Sequence, residues 1–311
     1  MTDSINGNSA ATRRNFALGA GLVGAALAGL RANAQTSTTP EASDIAVLNF
    51  ALTLEHLEAA IYTQGLSRFT AANFGTAGFT RVLGTGTAAG VYANLGRIRD
   101  HEVAHVDALR STIRTLGGTP VEPCTYNFTY SNVDQFLQIA QSLEELGVQA
   151  YDGGIAMLSA AALKAAGASI ATVEARHAAY LNLVNSNVPF PKAFDETKMM
   201  REVLSAAAQY ITSCGTTPVG MSTTALLLPK NLTTLSRQVS LDASQSLSGT
   251  GQPLTYELRV ISGAASIIQG NTATPSVQLG GGFGDYVFEL VVTDSAGTQS
   301  TDRITIRYAG Q

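Results

Sequence analysis

Apolar residues recur at helical spacing in five blocks of residues 42–213: Ser43 to Leu66, Val91 to Leu116, Val133 to Ala166, Ala168 to Asn185 and Asp195 to Thr212. Each block predicts a helix with a buried stripe. Residues that interrupt helices separate the blocks: Gly75 to Gly90, Gly117-Gly118-Thr119-Pro120, the neighbourhood of Gly167, and Pro189-Phe190-Pro191. The third block is long for one helix, and Gly153-Gly154 offers a place where it bends or loosens. Asp195 reads as an N-cap or first-turn acid of the fifth helix. From about residue 222 the grammar changes to short runs, Leu254 to Ile261, Ser276 to Leu279, Tyr286 to Val292 and Arg303 to Tyr308, parted by Gly, Ser, Thr, Asn and Asp. With Asp294-Ser295-Ala296-Gly297 as a turn, these runs predict a small antiparallel β-sandwich. The expected organisation is multidomain, with an all-α four-helix bundle plus a fifth helix over 42–214, a linker over 215–230 and an all-β sandwich over 231–311.

Composition narrows the function classes. The chain has 311 residues, 45% of them hydrophobic, which is enough for two cores. A net charge of -4 with 19 thinly spread Lys and Arg excludes a nucleic-acid partner, because neutralising phosphates takes clustered cations. Two cysteines, Cys124 and Cys214, are too few for a four-thiolate metal site and form at most one disulfide.

Residues 11 to 35 join paired arginines, Arg13 and Arg14, to an uncharged stretch from Asn15 to Leu30 and then Ala32-Asn33-Ala34. This reads as an export signal over 1–34, too short and too rich in Gly and Ala for a permanent anchor. Thr12-Arg13-Arg14-Asn15-Phe16 resembles the twin-arginine motif, which implies export of an already folded protein to the periplasm or beyond. No other stretch is expected to span a membrane.

The chemistry lies in the helical half. At 100° per residue, positions i±4 and i±7 share a helix face. Around Glu55 these are Ala51, Ala59, Leu48 and Tyr62, and around Glu102 they are Ile98, Val106, Leu95 and Leu109. Glu144 has Ala140, Val148, Leu137 and Tyr151, and Glu174 has Ile170, Ala178, Gly167 and Leu181. Four carboxylates therefore point into the core. Glu145 serves as a control, since its face carries Gln138, Gln141, Gln149 and Asp152 and looks outward, while Glu58, beside Leu54 and Gly65, is ambiguous.

Four buried, ionised carboxylates demand compensation. His105 follows Glu102, and His177 follows Glu174, by three residues, which places acid and imidazole on one face. Two divalent ions would bring four positive charges, with neutral imidazoles completing the coordination. The order Glu, ExxH, Glu, ExxH repeats once, and each lone Glu is followed seven residues later by a tyrosine, Tyr62 or Tyr151. One Glu from each of two helices and ExxH from each of two others is a known dimetal arrangement.

With LNFALTLEHLEAAIY, HEVAHVDAL, LEELGVQAYDGG and VEARHAAYL, residues 45–213 resemble the ferritin-like superfamily, in its desiccation-related branch. The resemblance implies Glu55, Glu102, His105, Glu144, Glu174 and His177 as ligands of a carboxylate-bridged pair, with Glu102 and Glu174 bridging. It also implies that Tyr62 and Tyr151 stand behind the ligands, and on the residues alone these two are equally well explained as core residues whose hydroxyls need a partner. An insertion from Phe69 to Gly90 and the extra domain separate the chain from cage-forming ferritins. VSLDASQSLSGTGQPLTYELRV and GDYVFELVVTDSAGTQSTDRITI resemble a PKD-type immunoglobulin-like domain.

The implied cofactor is two iron ions, or manganese in their place, and the implied activity is iron oxidation or consumption of oxygen or peroxide. Manganese would give a catalase-like enzyme. A different class makes the chain a stress- or desiccation-related envelope protein, with metal as a structural clamp and the sandwich as a module binding a polymer or protein partner. An apo bundle with protonated glutamates is the third alternative, and a homo-oligomer is left open. His56 and His101 fall about 100° off the ligand faces and are assigned no ligand role. An oxidising compartment favours a Cys124–Cys214 bridge. Asp242, Asp285 and Asp294 in the sandwich read as turn acids rather than calcium ligands. No GxSxG, phosphate loop or dinucleotide fingerprint occurs at a strand-to-helix junction, so hydrolase and nucleotide chemistry are not expected.

Overall fold

The computed structural model describes residues 42–79, 83–214, 223–248 and 252–310; the expected export signal over 1–34 and the linker core over 215–222 lie outside them. The helical half runs through α1 (Ala42–Arg68), α2 (Ala71–Phe74), a 3-10 turn (Thr85–Thr87), α3 (Ala88–Thr115), β1 (Cys124–Tyr126), α4 (Val133–Met157), α5 (Ala161–Val184), α6 (Met200–Ala208) and β2 (Ile211–Cys214). Helices α1, α3, α4 and α5 form the bundle: α1 packs chiefly on α3 and α4 on α5, whereas α3 and α5 meet sparsely.

The stripes explain the packing. On α3 the buried positions Val91, Leu95, Ile98, Glu102, Val106, Leu109 and Ile113 follow steps of three or four, with Glu102 in mid-stripe. Helix α4 is held at its start by Asn132, whose side chain accepts the Gln135 N–H at 2.9 Å. Helix α1 is buried more completely, with Leu52, Leu54, Leu57, Ile61 and Tyr62 all sequestered. Contrary to expectation, its Asp44–Arg68 stretch is itself long and apolar enough to cross a membrane, but it lies inside the bundle.

Three helix boundaries differ from the expected ones. The break between α4 and α5 falls at Leu158-Ser159-Ala160, not near Gly167, because Asp44 of α1 accepts the Ser159 N–H at 2.8 Å and its hydroxyl at 2.5 Å. That contact spans 115 residues and leaves no local signature. Gly167 lies inside α5 as a close-approach point, since a Cβ there would meet Ile155 at 3.0 Å. Gly153 does not break α4 either, and a Cβ on it would sit 2.4 Å from the Lys198 carbonyl, so the glycine admits a crossing chain. The fifth helix is shorter than expected, 200–208, and its first-turn acid is Glu202, which accepts the Met199 N–H at 2.9 Å; Asp195 lies exposed, outside it. Residues 211–214 instead pair antiparallel with β1, and the Cys124 and Cys214 sulfurs are bonded.

The C-terminal half contains β3 (Asn231–Thr234), β4 (Gln238–Ser240), β5 (Thr255–Ser262), β6 (Ala265–Ile268), β7 (Ser276–Leu279), β8 (Gly284–Thr293) and β9 (Gln299–Tyr308). Two sheets, ordered β3-β9-β8-β5 and β4-β7-β6, enclose Leu258, Val277, Phe288, Leu290, Val292, Ile304 and Ile306. The pairing is antiparallel as expected, except that β3 runs parallel to β9. Residues 223–230, whose composition suggests linker, belong to the sandwich: Ala225, Leu226 and Leu227 are buried, and Leu228 bridges to Asp242.

Candidate metal centre

Each bundle helix delivers its expected side chains to one point at mid-bundle: Glu55 from α1, Glu102 and His105 from α3, Glu144 from α4, and Glu174 and His177 from α5. The four glutamates are 0% exposed. Glu145, one residue from Glu144, is half-buried at the surface and accepts the Asn182 amide at 3.0 Å, so the facing argument discriminates between adjacent acids.

The distances reveal how the carboxylates are shared. His105 Nδ1 lies 3.2 Å from Glu55 Oε2, 3.1 Å from Glu102 Oε2 and 3.0 Å from Glu174 Oε1. His177 Nδ1 lies 2.9 Å from Glu102 Oε1, 3.2 Å from Glu144 Oε2 and 3.8 Å from Glu174 Oε2. Glu102 and Glu174 thus each turn one oxygen toward each histidine, while Glu55 and Glu144 serve one side only. Two quartets result, Glu55-Glu102-His105-Glu174 and Glu102-Glu144-Glu174-His177, each with ligand atoms within 4.8 Å of one another.

The tyrosines cross over. Tyr62 on α1 donates to Glu144 Oε1 at 2.5 Å, and Tyr151 on α4 donates to Glu55 Oε1. Each hydroxyl therefore fixes the outer oxygen of the other helix's glutamate, which leaves the remaining oxygen facing inward.

Protein donors do not satisfy this centre. A single Nδ1 proton serves one acceptor, yet each Nδ1 faces three carboxylates, and Glu102 Oε1 and both oxygens of Glu174 are buried without a hydrogen bond to any described residue. Burial pushes the Glu55 carboxyl up to about 8 and raises Glu144 well above the usual range, with neighbouring carboxylates acting in the same direction. Burial also opposes charge on His177 and Glu174, but is outweighed: the surrounding carboxylates lift His177 to about 12, and the two imidazoles hold Glu174 low. His105 is likewise raised, against its burial, by Glu55 and its other acidic partners. Without a bound cation, imidazolium protons substitute for the missing positive charge. Orphaned oxygens, hard carboxylate donors and two imidazoles fit a pair of divalent ions of the iron or manganese kind.

His56 sits apart, with Nε2 3.3 Å from the Val121 carbonyl and its pKa lowered by burial. His101 is not in either quartet, but it reaches a member of one: its Nδ1 is 3.0 Å from His177 Nε2 and the rings stack. One acid escaped the sequence reading. Glu58 is 3% exposed, and burial, then Glu174, Glu55, Glu144 and Glu102, raise its carboxyl well above the usual range. In the sandwich, Asp242 accepts the Ser244 N–H at 2.8 Å and Asp294 accepts those of Ala296 and Thr298 at 2.9 Å, as turn acids do.

Residues 43–187 match the ferritin-like domain family and residues 230–307 match the K319L-like PKD domain. The chain contains a ferritin-like domain followed by a PKD domain. Over 172 residues, 55% of the chain, the protein is 25% identical to Protein rds1 of Schizosaccharomyces pombe (strain 972 / ATCC 24843), and it spans 40% of that relative's length. Among solved structures, the solution structure of the PKD domain from KIAA 1837 protein is similar to 32% of this chain and 97% of its own, at 26% identity and a TM-score of 0.25. A nucleoside hydrolase-related hypothetical protein from Saccharophagus degradans is similar over 38% of this chain and 34% of its own, at 19% identity and a TM-score of 0.26. The ferritin-like match covers all six residues of the two quartets and Glu58.

Proposed function

We propose that the ferritin-like domain binds two divalent ions, iron or manganese, and performs redox chemistry with oxygen or peroxide in an exported protein. The observation that carries this reading is the division of Glu102 and Glu174 between His105 and His177, with three of their oxygens making no hydrogen bond to any described residue. Glu55 and His105 would hold one ion, Glu144 and His177 the other, and Glu102 and Glu174 both. Once bound, such a pair supplies electrons and Lewis acidity to oxygen or peroxide.

The chain's own groups prepare the site. Tyr62 and Tyr151 hold the outer oxygens of Glu144 and Glu55 and so fix which lone pairs face inward. Apolar side chains such as Leu95, Leu137 and Leu181 keep bulk water out. Placement in the periplasm or outside the cell rests on the twin-arginine-like N-terminus and accords with the Cys124–Cys214 bond. For the PKD domain we propose a polymer or protein partner.

A second reading treats the metals as a structural clamp in a stress- or desiccation-related envelope protein. Complete burial of the four glutamates favours it, because burial limits the access of oxidants to the carboxylates. Reducing the metal-loaded protein and admitting oxygen or peroxide separates the readings. The redox reading expects a change in near-ultraviolet absorption on mixing; a clamp leaves the spectrum unchanged and loses thermal stability on chelation alone.

A further inference from the structure

The internal repeat relates Glu55 to Glu144 and Tyr62 to Tyr151, but it fails at one inward position. Three residues after Glu55 stands Glu58, whereas three residues after Glu144 stands Gly147. The two are sterically complementary: a Cβ on Gly147 would lie 2.7 Å from Glu58 Oε1 and 3.6 Å from Glu174 Oε2. The missing side chain on α4 is therefore the space that the extra carboxyl of α1 occupies. The same Cβ point lies 3.6 Å from the Glu174 oxygen that faces His177 and makes no hydrogen bond to any described residue, while Glu58 itself is a member of neither quartet.

A packing role does not explain Glu58. Carboxyls are almost never buried without a partner, and an apolar residue would fill an internal helix position at lower cost. Glu58 is 3% exposed, and the ion pairs that His105 and His177 make go to Glu55, Glu102, Glu144 and Glu174, not to Glu58. The charges that act on it most strongly are the four glutamates themselves, and a cation in the cluster would give it a counter-charge.

We infer that Glu58 supplies a further carboxylate to the metal position bounded by Glu102, Glu144, Glu174 and His177, making the two positions unequal in charge and in affinity. The inference rests on the dinuclear reading above. The Glu58 side would be the harder and more anionic of the two and would fill first. Gly147 is then required for room, not for backbone freedom.

The test is anaerobic titration of the chelator-stripped, full-length protein with Fe(II), and separately with Mn(II), followed by calorimetry and elemental analysis. Wild type is expected to take up two ions in two resolved steps. Glu58→Gln, which keeps shape and hydrogen-bonding capacity, should still bind two ions but weaken the tighter step at least tenfold, so that the steps merge. Gly147→Ala should do the same with Glu58 intact, because its Cβ claims the carboxyl's place, and the double variant should be no worse than either alone. Melting of the stripped variants confirms that they fold. Wild-type-like two-step isotherms for both variants overturn the role of Glu58 and leave the dinuclear centre standing. A wild type that binds no metal overturns both.

Discussion

Both halves of the molecule bury acids, but they treat them differently. In the sandwich, Asp302 accepts from the Lys230 ammonium, from Leu227 N at 2.7 Å and from Arg303 N at 2.9 Å, while Asp294 accepts from Thr223 Oγ1 at 2.5 Å and from the Ala296 and Thr298 amides. Those acids are finished by the protein. In the bundle, Glu102 and Glu174 are just as buried but retain oxygens that make no hydrogen bond to any described residue. Burial alone is thus a poor sign of function; burial without donors, next to imidazoles that each face three carboxylates, is a specific one.

The sharpest way to break the contrast is to remove one acid from each side. Asp302→Ala should cost about 3–5 kcal/mol of stability, because it strands the Lys230 ammonium in the core, and should leave metal content unchanged. Glu174→Gln should act on the metal instead, removing both ions because this carboxylate is shared between the two positions, and should also destabilise the metal-free protein by taking away the carboxylate that both imidazoles hold ionised. Urea unfolding with elemental analysis checks both. Stripping metal from wild type should lower bundle stability by about 4 kcal/mol relative to metal at about a thousand times its dissociation constant, read as a shift in the thermal unfolding of the bundle alone.

Acidity sharpens the comparison further. The folded-state pKa of Glu55 lies near 8, above its ordinary value of 4.5, so the folded metal-free protein holds a proton that the unfolded chain releases first. Its contribution is full below pH 4.5 and is lost as pH rises through 8, at up to about 1.4 kcal/mol per pH unit. His177, raised to about 12, acts in the same direction above its ordinary 6.5, whereas Glu174, which is lowered, destabilises only as pH falls below 4.5. Metal-free protein should therefore melt at lower temperature at pH 8 than at pH 5, while stabilisation by added metal grows over that interval because the ions displace those protons. A flat profile in both states would contradict this. The smallest effect is expected at His101→Ala, which removes the imidazole partner of His177 and should weaken metal binding about tenfold without replacing any ligand.

Much of the site was legible because helix periodicity is a strong local signal. Glu102 among Leu95, Ile98, Val106 and Leu109 declares its direction, and the same holds for Glu55, Glu144 and Glu174. Glu58 escaped because one of its face neighbours is Gly65, whose apolar surroundings come from another helix: a Cβ there would meet Phe136 at 2.3 Å. The Tyr62 and Tyr151 crossover, the break at Ser159 set by Asp44, and the parallel pairing of β3 all arise from contacts between distant segments. The longer strands β5, β8 and β9 announced themselves by dense β-branched and aromatic residues, and the four residues of β7 are legible too, whereas β3, β4 and β6, equally short, do not stand out from the polar residues around them.

The most direct measurement is the metal content per chain of protein purified from its native compartment without added chelator. Two ions of iron or manganese per chain, lost together in Glu174→Gln and retained in Asp302→Ala, is the expected result. Metal-free protein whose glutamates are simply protonated, or a content unaffected by Glu174→Gln, would contradict a centre built on shared carboxylates.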